Sequence, residues 1–97
     1  MIELTEKQLS DIEICGRVGF SCKELAAILS VPIEEVEQQF RAENGNVYEA
    51  WLKGRMQVEI EIRTAMLRDA LNGSSAMLEK MLNIFRTTDE SISNLTY

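Results

Sequence analysis

The sequence predicts an all-α protein: a three-helix unit over residues 1–46, a long helix and a shorter one forming a hairpin over 47–86, and a flexible tail over 87–97. Three observations predict it. Thr5-Glu6-Lys7-Gln8 and Ser21-Cys22-Lys23-Glu24 are capping boxes, each followed by apolar residues at helical spacing. Asn44-Gly45-Asn46 and Asn72-Gly73 are strong stop signals. Between them, Val47 to Leu71 contains no breaker except Gly54.

The first helix is expected over 5–16. Leu4 and Leu9 stand as a staple pair around its cap, and Leu9, Ile12 and either Cys15 or Val18 form one apolar stripe. Gly16 and Gly19 are expected to loosen the chain and end it. The second helix, 21–29, uses Phe20 and Leu25 as its staple and turns Leu25, Ile28 and Leu29 inward. Ser30-Val31-Pro32 interrupts the pattern, and Pro32 suits the first position of a new helix over 32–43. Glu34 and Glu35 complement the dipole of its first turn, and Ile33, Val36 and Phe40 make its apolar face.

The fourth helix, 47–71, carries two apolar seams. One contains Tyr48, Trp51, Val58, Ile62, Ala65 and Met66; the other contains Met56, Ile60, Leu67 and Leu71. A helix apolar on two faces needs two things to pack against. The fifth helix, 75–86, brings a stripe of Met77, Leu78, Met81, Leu82 and Phe85 that can fold back over one seam. The Met56, Ile60, Leu67 and Leu71 seam is then expected to meet a second copy.

Charge and composition narrow the function. The net charge is −6, so a whole-protein pull toward phosphate is absent and any nucleic-acid contact must come from a local patch or from several copies together. There is no histidine, and the two cysteines, Cys15 and Cys22, read as small buried or half-buried thiols; a zinc site needs about four ligands. Phosphate loops, nucleophile elbows and nucleotide fingerprints are missing, and each carboxylate cluster is explained by a helix start or a solvated face. No enzyme, cofactor or metal is expected. No stretch approaches the roughly 20 apolar residues that span a bilayer, and Met1-Ile2-Glu3-Leu4 lacks the basic and apolar regions of a signal peptide. The expected location is the cytoplasm, with no membrane partner.

Residues Lys23 to Val36 resemble a helix-turn-helix. Ala26, Val31 and Val36 fit its usual pattern, while Ser30 stands where glycine is common. The third helix would then be the recognition helix, with Ile33, Glu34, Glu37, Gln38 and Arg41 outward. Gln38 and Arg41 are the candidates for base edges, and Lys7, Arg17, Lys23 and Arg41 for phosphates, with Lys53 and Arg55 in reserve.

Tyr48-Glu49-Ala50-Trp51-Leu52-Lys53-Gly54-Arg55 and the run from Arg63 to Ala76, placed after such a unit, resemble the small terminase subunits of phages and prophages. The likeness covers roughly residues 9–85. It implies a non-enzymatic subunit that recognises double-stranded DNA, forms a homo-oligomer and works with a large terminase motor subunit. Two alternatives stand beside it. One is a dimeric transcriptional regulator. The other is a protein–protein adaptor whose helix-turn-helix touches no DNA.

Overall fold

The computed structural model describes residues 2–95, which form five helices and no strand. The chain divides into two compact units, Met1–Glu59 and Ile60–Tyr97.

The first unit contains α1 (Glu6–Val18), α2 (Cys22–Leu29), α3 (Ile33–Ala42) and the first half of α4 (Asn46–Leu71). It reaches past the expected boundary at 46 because Val47, Ala50 and Trp51 complete its core. Ile12, Leu25, Val36 and Val47 are its most fully buried large side chains, one from each helix. Burial of each such side chain stabilises by roughly 1.5–3 kcal/mol. Phe40 is set edge-on to Tyr48 and to Trp51, with centroids 5.2 Å apart in both pairs.

Both capping boxes form. Thr5 Oγ1 accepts from the Gln8 amide at 3.2 Å while Gln8 Oε1 accepts from the Thr5 amide at 2.9 Å. Ser21 and Glu24 reciprocate in the same way at the start of α2. The hydrogen bonds from the Ser21 backbone and hydroxyl hold the Glu24 carboxyl below its ordinary pKa.

Some details of this unit depart from expectation or settle an open one. Gly16 does not end α1; the helix runs to Val18, and Gly19 supplies the left-handed C-cap at φ 84°. Gly16 is needed for another reason: a Cβ there would strike the carbonyl of Trp51, and a Cβ on Gly54 would strike the carbonyl of Glu13. The two glycines let α1 and α4 cross with their main chains in contact. Val18 is exposed, so the α1 stripe closes on Cys15. Ile28 is exposed as well. At 100° per residue the buried arc of α2 runs through Leu25, Leu29 and Ala26, and Ile28 falls on the other side of Leu25.

Between α2 and α3 the chain reverses at Ser30, which takes a left-handed conformation (φ 56°, ψ 45°), and the Val31 amide donates to Ala26 O at 3.1 Å. Pro32 is the N-cap of α3. An L-residue pays roughly 1–2 kcal/mol for this conformation, and glycine loses part of that gain to its freer unfolded state. Ser30→Gly is therefore expected to raise stability by about 0.5 kcal/mol, read as a higher urea midpoint at unchanged slope.

In the second unit, α4 ends at Leu71, Gly73 takes φ 108°, and the Ser74 hydroxyl accepts from the Met77 amide at 3.3 Å to cap α5 (Ser75–Asn94). The fifth helix thus continues eight residues beyond the expected end at 86. Residues 87–94 hold threonines and serines of modest helix propensity but neither glycine nor proline, so nothing stops the helix. The remaining tail residues 96 and 97 lie outside the described residues. Ala70 and Met81 are the buried apolar side chains here. Along α4, Met56, Ile60, Leu67 and Leu71 are all exposed, and so is Ile62 of the other seam.

Candidate nucleic-acid interface

The outer face of α3 is set by its inner one. Val36 is fully buried and Phe40 and Ile33 pack on the core, which leaves Glu34, Gln38 and Arg41 in solvent and Glu37 half-buried. Ile33, which the sequence places both on the apolar face and among the outward residues, is half-buried against the core.

The sequence-derived residues do not all converge. Arg41 lies 3.7 Å from Glu37 one turn earlier on the same helix. Both groups act on the Cys22 thiol, whose pKa is raised by burial and by the Glu37 charge and lowered by Arg41. Cys22, the first residue of α2, is thus within electrostatic reach of the Glu37–Arg41 pair. Gln38, one turn before Arg41 on the same exposed face, also lies at the rim of a small pocket with Glu35, Gln39, Ala42 and Asn44. Lys7 is paired with Asp11 on α1 at 3.4 Å. Arg17 closes the last turn of α1 and, like Lys23, makes no ion pair among the described residues.

Of the two reserve cations, Lys53 is 3.1 Å from Glu13 and ties α4 to α1. Arg55 lies over the Trp51 ring, 5.7 Å from its centroid, and its guanidinium comes close to Gly19. Trp51 Nε1 donates to the Phe20 carbonyl at 3.0 Å, just before the α2 cap. Through this bond one aromatic ring orients both Arg55 and the loop that leads to Lys23.

Sequence reasoning passed over Gln39. Its Oε1 accepts from the amides of Val47 (2.8 Å) and Tyr48 (3.1 Å), and its Nε2 donates to Asn46 Oδ1 at 3.0 Å. Gln39 thereby supplies acceptors for the first amides of α4, which no intrahelical carbonyl can reach. Asn46 Nδ2 in turn donates to the Ile2 carbonyl. No sequence signal marks this role: Asn46, itself a strong cap type, stands before Val47, and its Oδ1 also accepts from the Val47 amide at 2.9 Å.

The electrostatics are mixed. Residues 1–59 hold six cations among eleven carboxylates, so any pull on phosphate is local to the unpaired cations. Cys15 is buried and its pKa is raised by that burial and then by Asp11 and Glu24, so neither thiol is activated toward nucleophilic chemistry. Among the described residues no cluster of His, Cys, Asp or Glu is placed to hold a metal ion, and no helix is long and apolar enough to cross a membrane. No family model, curated protein or solved structure matches the chain.

Proposed function

We propose that the first unit is a helix-turn-helix that binds double-stranded DNA without catalysis. In this reading the protein is the recognition component of a phage-type packaging machine, a small terminase-like subunit that hands DNA to a large motor subunit. The observation that carries it is the packing of two short helices, α2 and α3, around a left-handed turn at Ser30, with Gln38 and Arg41 outward on α3.

Lys23 and Arg17 meet phosphates in this reading, and Arg41 exchanges Glu37 for a base edge or a phosphate. The turn at Asn72–Ser74 lets α5 and the end of α4 form a hairpin arm, and the exposed Met56, Ile60, Leu67 and Leu71 seam gathers copies. Several copies along one duplex multiply the few cations each provides.

A low-salt titration of labelled duplex tests this. Wild type is expected to bind with a steep salt dependence, and Lys23→Ala with Arg41→Ala to weaken binding at least about tenfold and flatten the salt slope by about 2. Equal binding by the double variant means that this surface is not the reader. No binding by wild type gives the lead to the adaptor reading, which the Glu37–Arg41 and Asp11–Lys7 pairs favour because they neutralise two of the candidate cations.

A further inference from the structure

Helix α5 has more apolar surface than its unit buries. Met81 is 3% exposed, while Leu78, Leu82 and Phe85 are 45%, 49% and 45% exposed. These three stand at i, i+4 and i+7, so they form one stripe along the helix, next to the arc that Met81 occupies. Asp89 continues the stripe one turn after Phe85.

The charges beside the stripe are arranged in a self-complementary way. Glu79 and Arg86 are one heptad apart and lie on the same flank, the side away from Met81. Glu79 makes no ion pair among the described residues, and Arg86 reaches only Asn83 at 3.5 Å on its own helix. In a two-fold antiparallel pair of α5 helices, a flank faces the same flank of the other helix. With the axis passing near Leu82, Glu79 of each copy then faces Arg86 of the other, twice by symmetry. A parallel pair sets Asp89 against Asp89 inside the apolar seam, where like charges repel. The same charges that stabilise one orientation oppose the other.

We propose that α5 is a homodimerisation helix, with two copies packed antiparallel through Leu78, Leu82 and Phe85 and held in register by reciprocal Glu79–Arg86 pairs. This face is separate from the α4 seam and does not depend on the DNA reading.

Light scattering and sedimentation of the whole chain over a range of concentrations test it. Wild type is expected to be at least dimeric. Leu82→Glu with Phe85→Glu is expected to lower the mass while circular dichroism still reports full helix. Charge reversal keeps the test independent of any folding defect. Glu79→Arg alone and Arg86→Glu alone are each expected to weaken association about tenfold at low salt, since each sets two like-charged pairs face to face. The double reversal is expected to restore it. A monomeric wild type overturns the proposal. An oligomer indifferent to the reversals, or a double reversal that fails to restore association, overturns it too and leaves the α4 seam as the contact between copies.

Discussion

Gly54→Ala is expected to cost the first unit about 3 kcal/mol or more, enough to unfold a small unit of ordinary stability. The added methyl has no side chain to push aside. It meets the carbonyl, carbonyl carbon and Cα of Glu13, all main-chain atoms inside a helix. Relief requires α1 and α4 to separate, which strips Ile12, Val47 and Ala50 of shared contacts. Gly16→Ala does the same from the other side, against Trp51. Helix propensity alone predicts the opposite sign, a gain of roughly 1 kcal/mol for alanine in a helix interior, so the measurement separates the two effects cleanly. Urea unfolding followed through the only tryptophan, Trp51, gives the answer. Gly73→Ala is the control. It has open space around it and pays only for its positive φ, about 1 kcal/mol.

Trp51→Ala is expected to cost about 3–5 kcal/mol, the usual range for truncating a large aromatic in a packed site. The ring stands edge-on to Phe40, carries Arg55 over its face and ties the Phe20 carbonyl through its indole N–H. Trp51→Phe keeps most of the apolar contact and removes the bond to Phe20, so it isolates that bond at about 1 kcal/mol. Stability by calorimetry checks both substitutions. If duplex binding uses the start of α2, Trp51→Phe should also weaken it while the unit remains folded, because the loop before Ser21 loses its anchor.

What the sequence made legible was local. Thr5 with Gln8 and Ser21 with Glu24 announce helix starts because the donor and acceptor lie within one turn of each other. Asn72-Gly73 announces a stop for a similar reason. What stayed hidden depends on a partner distant along the chain. A glycine that breaks a helix and a glycine that admits another backbone look alike until the other backbone is placed, so by sequence Gly16 looks like a terminus. Gln39 and Gln38 are adjacent and chemically identical, and only the position of the α4 amides assigns one to capping and leaves the other in solvent. The end of α5 lies beyond the expected one because Thr87, Thr88, Ser91 and Ser93 weaken a helix without stopping it. Of the DNA-facing set, residue type, helix face and even two pairings are legible at helical spacing. Arg41 and Lys7 each sit four residues from a carboxylate, and the structure shows both pairs closed.

The crossing of α1 and α4 also constrains how this chain can change over time. Gly16 meets the Trp51 carbonyl and Gly54 meets the Glu13 carbonyl, main chain in both cases, so no replacement at one position makes room for a larger residue at the other. Each is held by its own steric limit, and the two columns should stay glycine without varying together in any set of descendants. Glu13 and Lys53, at the same crossing, touch through side chains and are free to exchange charge as a pair. Divergent copies that keep this architecture should therefore show two invariant small positions beside one correlated pair, a pattern that distinguishes inherited geometry from chance likeness of helical sequences.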